Sequence, residues 1–294
     1  MSLWTGRDAG VTGDSLGHHE RVSGTSHKRD RWGSMTATRI LPFVRRAWRI
    51  ARTEIVALSA LFVVAMGIMI FVELADDMTE ADGRAFDQAV LLALRPNGSA
   101  NGWGPPWLET AALDLTALGG LAVLGLFGVI VVLFLILQRK RLSALLLVLG
   151  LVGGVALSEG LKAVFARDRP PSAYQAVETI NASFPSGHAL LSAVFYLSIG
   201  VMLTRAFPRR HFKAYVLGVA LLLTLIVGLT RVYLAAHWAS DVLAGWSVGA
   251  AWAMALWLVA YAVQRRQAAH RDGPHDETLP DDPIDDTDPP VIGE

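Results

Sequence analysis

Three short stretches of the chain carry side chains of the kinds that hold an anion and move a proton. In the first, Lys162 is followed after six residues by Arg169 and Pro170. In the second, Pro185, Ser186, Gly187 and His188 stand just before an apolar run. In the third, Arg231 is followed by His237 and then, four residues on, by Asp241. Two fixed cations near one helix end suit a dianion such as a phosphate group. Ser and Gly before an apolar run read as a helix start, whose unpaired N–H groups and partial positive charge attract an anion. Gly187 lets the backbone approach closely, and His188 then projects where a proton can be delivered. On a helix, His237 and Asp241 would share a face. A carboxylate that fixes one imidazole nitrogen leaves the other as a directed nucleophile or base.

Each stretch has a plainer reading when taken alone: a snorkelling Lys with a positive loop, a capping Ser beside an interfacial His, a surface His–Asp pair. Taken together they supply three cations, a helix N-terminus, two histidines and one carboxylate. There is no cysteine in the chain, and these stretches hold no acidic cluster suited to a hard metal ion. Such a set fits metal-independent phosphoryl transfer: cations stabilise the equatorial oxygens, one His attacks phosphorus and the other protonates the leaving oxygen. Glu159, one turn before Lys162, is expected to neutralise or place it. The other six histidines lie in the polar ends or away from these stretches and receive no role.

The elements that must position these residues are membrane spans. Of 294 residues, 53% are hydrophobic and 18% charged, and the mean hydropathy is +0.41, a balance that argues against a cytosolic domain. Lys+Arg and Asp+Glu both total 26, so the basic excess of a nucleic-acid binder is missing. Without cysteine there is no disulfide scaffold, thiol nucleophile or iron–sulfur cluster. Six segments reach the length of about 20 apolar residues that a bilayer core requires: about 55–74, 116–138, 142–162, 189–205, 212–230 and 241–263. None alternates polar and apolar residues as the strands of a membrane barrel do. The expected fold class is therefore all-α, an integral membrane six-helix bundle with disordered polar termini.

Fifteen Lys and Arg fall in segment 36–54, between spans two and three, between spans four and five, and after span six, against six in the other loops. That bias puts both termini in the cytoplasm and loops 75–115, 163–188 and 231–240 outside. The three chemical stretches all collect at the outer end. Residues 1–38 form an expected disordered segment, with Met35 an alternative start. Residues 39–53 are basic and form an expected interfacial helix or positive-inside anchor. The six-span unit covers 54–264, and 265–294 is an expected disordered acidic tail. Within loop 75–115, residues 84–94 read as a short helix packing Phe86, Val90, Leu91 and Leu94, and Trp103, Pro105, Pro106 and Trp107 read as an interfacial turn.

The three stretches together resemble the motifs of the type 2 phosphatidic acid phosphatase superfamily of membrane lipid phosphatases. That pattern is Lys, six residues, Arg-Pro; Pro-Ser-Gly-His; and Ser-Arg, five residues, His, three residues, Asp. Every spacing agrees, and Thr230 stands where the family usually has Ser. The resemblance covers about 55–263. It implies that His237 is the nucleophile of a phosphohistidine intermediate, that Asp241 orients it, and that His188 is the general acid. It implies that Lys162, Arg169, Ser186, Gly187 and Arg231 hold the phosphate, with no metal and no cofactor. The implied partners are the bilayer and a lipid phosphate or diphosphate, met at the outer face of the inner (plasma) membrane. Undecaprenyl pyrophosphate is the first choice, ahead of phosphatidylglycerol phosphate, phosphatidate or a lipid A phosphate. Three other classes stay in view: a lipid-phosphate transporter or binding protein without hydrolysis, a vanadate-dependent haloperoxidase, and a structural membrane protein. The transporter is disfavoured because the span centres carry few ionisable residues.

Overall fold

The computed structural model describes residues 31–271 apart from 79, 97, 99, 100, 178 and 180, and describes side chains from 54 to 268. Residues 1–30 and 272–294, where most of the expected disordered ends fall, and the side chains of the proposed interfacial helix 39–53 lie outside what it describes. The chain divides after Thr53, and the bundle belongs to the unit that starts at Glu54. Its helices are α1 (Arg31–Asp77), α2 (Ala81–Leu94), α3 (Pro106–Thr116), α4 (Leu121–Leu137), α5 (Arg141–Phe165), α6 (Gly187–Thr204), α7 (Arg210–Tyr233) and α8 (Ala239–Arg271). No strand occurs among the described residues. Helix α1 begins inside the segment 1–38 expected to lack structure, and α8 continues past 265 into the expected tail.

Among the described residues, five helices are long and apolar enough to cross a membrane: Glu54–Asp77, Arg141–Phe165, Gly187–Thr204, Arg210–Tyr233 and Ala239–Ala268. The sixth span departs from expectation. The run read as one helix over 116–138 is a broken pair, Pro106–Gly119 and Leu121–Leu137, bent by 46°. A single 3-10 turn, Ala117–Gly119, joins them. The break falls where two glycines meet tightly packed neighbours. A Cβ on Gly119 would lie 2.2 Å from the Val227 side chain. Continuous hydropathy hides such a break, because apolarity reports the solvent and not the path of the backbone. With the bent pair counted as one span, the chain is the expected six-span, all-α membrane protein.

Helix α6 is the hub, packed against α4, α5, α7 and α8. Leu190, Leu191, Val194 and Phe195 of α6 join Leu124, Leu135 and Leu147 in one buried cluster. The α6–α8 approach is unusually close. A Cβ on Gly245 would meet the Ser186 carbonyl at 2.6 Å, and one on Gly249 would meet the Leu190 carbonyl at 2.5 Å. Small residues four apart let helices touch backbone to backbone where no water drives them together. Outward-facing Ile55, Phe62, Val72, Leu126 and Val152 are exposed, as lipid-facing side chains should be.

Helix α2 forms over nearly the expected range and buries most of the expected face, with Leu91 buried and Val90 and Leu94 half-buried, but Phe86 turns outward and Asp87 turns in. Phe86 is 49% exposed, while Asp87 and Leu91 are buried. Arg95, at the helix end, is fully buried, with its Nη2 on the Tyr233 carbonyl at 2.8 Å. Periodicity ranked the apolar residues and missed a charged one with partners far away in the chain. Trp103 and Trp107 are exposed, and Pro106 opens α3 at its first position, where its missing N–H costs nothing.

Candidate active site

The site lies at one end of the bundle, where α5 and α7 end and α6 and α8 begin. Lys162 occupies the last turn of α5. The chain then reverses through Ala166, whose φ of 44° ends the helix in a left-handed residue, with its N–H on the Lys162 carbonyl at 2.9 Å; this is a common way to cap a helix C-terminus. The Lys162 ammonium meets Glu159 at 2.7 Å, as expected.

Ser186 is the N-cap of α6 and accepts from the Ala189 N–H at 3.5 Å. The hydroxyl still has its own proton to donate. The Ser186 N–H donates to the Asp241 carbonyl at 2.9 Å, so the first turn of α8 holds the start of α6. A Cβ on Gly187 would lie 3.0 Å from Ser158 Oγ and 3.5 Å from Lys162 Nζ, which places the lysine beside the helix N-terminus. His188 packs against the Gly119–Gly120 break and lies within electrostatic reach of Arg231, His237, Lys162 and Arg169. Every expected site residue is thus gathered at this end.

Arg169 binds the loop to the turn after α7. Its Nε donates to the Asn181 carbonyl, its Nη2 to Ala182 O at 3.3 Å and its Nη1 to Ala236 O at 2.6 Å. The same Nη1 stands 3.3 Å from His237 Nε2. Burial pulls this guanidinium below its ordinary value, and Asp241 acts in the opposite direction. Arg231, in the last turn of α7, is 4% exposed and donates from Nη1 to Thr116 Oγ1 at 3.3 Å, while its Nε has no hydrogen-bond partner.

The His–Asp geometry corrects the sequence reading. Helix α8 starts at Ala239, so His237 lies in the preceding turn and does not share a helical face with Asp241. His237 Nδ1 is 2.8 Å from the Ser183 carbonyl and 3.5 Å from Asp241 Oδ2. A carbonyl only accepts, so Nδ1 carries the proton and Nε2 keeps its lone pair. Burial pushes His237 down to about 4, against the upward pull of Asp241 and with Arg169 and Arg231 also lowering it. The imidazole is therefore neutral near pH 7.

Asp241 is fully buried and heavily committed. It accepts from the Ser183 hydroxyl, from Arg167 Nη1 and, at 2.9 Å, from the Trp238 N–H. The last bond is half of a capping box, the third residue of the helix reaching back to the N-cap. Sequence reasoning missed Ser183, Arg167, Asp87 and Ser240. For Arg167 the signal was a third cation in the Lys162–Arg169 stretch. For Ser183 there was none, since its partners depend on the fold of loop 166–186. Among the described residues, no group of three His, Asp or Glu is placed to hold a metal ion.

Comparison with known proteins shows the family. The family model described as the PAP2 superfamily matches residues 142–265. Phosphatidylglycerophosphatase B of Bacillus subtilis (strain 168) is 34% identical over 146 residues, which cover 49% of this chain and 71% of that protein. Undecaprenyl-diphosphatase of Sulfolobus acidocaldarius is 33% identical over 122 residues, which cover 40% of this chain and 55% of that one. The crystal structure of a transmembrane PAP2-type phosphatidylglycerolphosphate phosphatase from Bacillus subtilis superposes with a TM-score of 0.64 at 27% identity, covering 69% of this chain and 98% of that chain. With the bundle, the motif spacings and these relatives in agreement, the chain belongs to the PAP2 superfamily, as a multi-pass membrane phosphatase.

Proposed function

We propose that the chain hydrolyses a lipid phosphate or diphosphate without a metal ion, through a phosphohistidine on His237. The observation that supports this most directly is the state of that side chain. It is buried and neutral, its Nδ1–H is held by a carbonyl, and its Nε2 lone pair faces Arg169. In the proposed sequence Nε2 bonds to phosphorus as the phosphorus–oxygen bond to the lipid breaks, and His188 gives the leaving oxygen a proton. Water then gives His188 a proton as its oxygen takes phosphorus from Nε2, releasing phosphate. Lys162, Arg169, Arg231, Ser186 and the Gly187 amide hold the equatorial oxygens, where preorganised charge acts most strongly. Arg231 Nε, buried and without a partner, is a donor that a phosphate oxygen satisfies.

Undecaprenyl pyrophosphate is the first substrate proposed, and a phosphatidate-type lipid, phosphatidylglycerol phosphate included, the second. The names of the two relatives support both headgroups. The excess of Lys and Arg at the opposite bundle end supports a site outside the inner (plasma) membrane with both termini in the cytoplasm. The proposed phosphatase unit is 54–264, between the basic and acidic ends.

The test is phosphate release by detergent-purified protein with EDTA present. Undecaprenyl pyrophosphate, phosphatidate and phosphatidylglycerol phosphate are compared side by side, with His237→Ala as control. Release that persists in EDTA and vanishes in the variant is expected. Release that survives His237→Ala would overturn the phosphohistidine, and release lost in EDTA would overturn the metal-free chemistry. Folded protein that binds these lipids and releases nothing is the outcome expected of a transporter.

A further inference from the structure

Helix α2, between the first two spans, takes no part in any of the three motifs. It nonetheless inserts one carboxylate beneath the site. Asp87 is 2% exposed, and among the described residues its side-chain hydrogen bonds run to the start of α8 and to the loop after α5. Its Oδ1 accepts from the Ser240 N–H at 2.9 Å, and its Oδ2 accepts from the Ser240 hydroxyl at 2.6 Å and from Arg167 Nη2 at 2.7 Å. Asp87 is therefore an N-terminal cap for α8 supplied by another helix, the position where a negative charge is most stabilised.

Arg167 completes the link. Its Nη1 donates to Asp241 Oδ1 and, at 2.8 Å, to Ser240 Oγ. Its guanidinium lies 5.8 Å from the centre of the Trp238 ring, beside the turn that carries His237. One guanidinium thus bridges two buried carboxylates. Only one of those, Asp241, neighbours the imidazole.

We propose that Asp87 and Arg167 are positioning residues for the phosphatase reaction: with Ser240 they lock the Asp241 carboxylate, and through it Ser183 and the His237 ring, so that α2 is coupled to the nucleophile. The chemical logic is the sharing of Arg167. Asp241 has its carboxylate committed to Arg167, Ser183 and the Trp238 N–H. When Asp87 loses its charge, the guanidinium is no longer stretched between two anions and re-centres on Asp241. The Ser183 hydroxyl, and with it the carbonyl that holds His237 Nδ1, then shifts. Displacement of a reacting group by about 1 Å can cost about 100-fold in rate.

This inference rests on the phosphohistidine reading for its kinetic arm, and a spectroscopic arm keeps the two separable. In the kinetic arm, phosphate release is measured for wild type, Asp87→Asn, Asp241→Asn and the double variant. Asp87→Asn is expected to lower kcat about 10- to 100-fold with KM within about twofold. In the Asp241→Asn background the same change is expected to cost nothing further, the signature of two residues acting through one path. Losses that multiply, or an unchanged kcat, would overturn the coupling. If Asp87→Asn does not fold, Ser240→Ala takes its place in the cycle.

In the spectroscopic arm, protein labelled with 15N-histidine is recorded in detergent, and the His237 signals are identified by their loss in His237→Gln. They are expected to move in Asp87→Asn. A pure brace on α2 would lower the melting temperature and leave these signals and the kcat of folded protein in place, which would also overturn the proposal. A wild type that releases no phosphate sinks the phosphatase reading, and the His237 signals still decide the coupling.

Discussion

His237 Nδ1 lies 2.8 Å from the backbone carbonyl of Ser183, and the Asp241 carboxylate, the partner its spacing suggested, stands back at 3.5 Å. The tautomer is therefore set by a neutral main-chain acceptor. Asp241 works at one remove, by holding the Ser183 hydroxyl and adding negative potential beside the ring. Losing the Asp241 charge should then cost less than losing the imidazole. His237→Ala is expected to abolish turnover, while Asp241→Asn should retain measurable activity, lowered by about 10²- to 10⁴-fold. Single-turnover phosphate release by the two variants, each checked for folding, decides this; equal and complete loss would restore Asp241 as the direct partner.

The neutral state of His237 has a pH consequence. Burial lowers its folded value to about 4, below the ordinary 6.5 of histidine. Between those two values the unfolded chain binds the proton and the folded chain does not, so this group makes the protein less stable as pH falls from 6.5 toward 4. Above 6.5 its contribution is constant. The proposed nucleophile stays unprotonated down to about pH 4, so the acid limb it causes in kcat/KM should lie near 4. A pH–rate profile measured at full folding checks this together with the 15N signals of His237, which should stay those of a neutral ring down to about pH 4; His237 signals that titrate near 6.5 would contradict it.

The spans, the orientation bias and the motif residues were legible because each follows from local composition or from spacing along one chain. Ser186 as a helix cap is of this kind, since a Ser-Gly pair before an apolar run has few other uses. Asp87 was not legible. On a helix at the membrane surface a lone Asp ordinarily faces water, and its burial depends on Ser240 and Arg167, which lie far along the chain. The break at Gly119 was hidden for the same reason: the neighbour that forbids a side chain there is Val227 of α7.

Gly245 tests how far the close α6–α8 contact sets the site. Its missing side chain gives room to the Ser186 carbonyl, one residue before the Gly187 amide proposed for phosphate. Gly245→Ala should push the N-terminus of α6 away and reduce kcat/KM by about 10²-fold, with a lower melting temperature in detergent. Gly218→Ala, where nothing lies within 4 Å of an added Cβ, should change neither. Equal behaviour of the two variants would show that the helices give way without disturbing the site.

Arg231 is expected to bind the anion in its substrate and transition-state forms alike. It is buried, donates from Nη1 to Thr116 Oγ1, and has an unsatisfied Nε. Arg231→Lys keeps a charge and loses the planar fork that matches phosphate oxygens. The change should weaken substrate and the phosphate analogue vanadate together, by about tenfold or more, and Arg231→Ala should weaken both further. Competitive inhibition by vanadate measures this without turnover of the inhibitor. Unchanged inhibition in Arg231→Ala would remove the residue from the proposed phosphate site.

Membrane orientation can be tested directly, because the chain contains no cysteine and any single one introduced reports its own surroundings. Trp103 is 64% exposed at the bundle end that carries the site, and Lys140 is exposed in the turn between α4 and α5 at the other end. Neither side chain belongs to the proposed phosphate site. The Lys and Arg bias puts the first outside and the second inside. Trp103→Cys should therefore react with a membrane-impermeant maleimide in intact cells, and Lys140→Cys only after permeabilisation. The reverse pattern would place the site in the cytoplasm, where a lipid released outside could not reach it without first crossing the bilayer, and undecaprenyl pyrophosphate at the outer leaflet would cease to be the leading substrate.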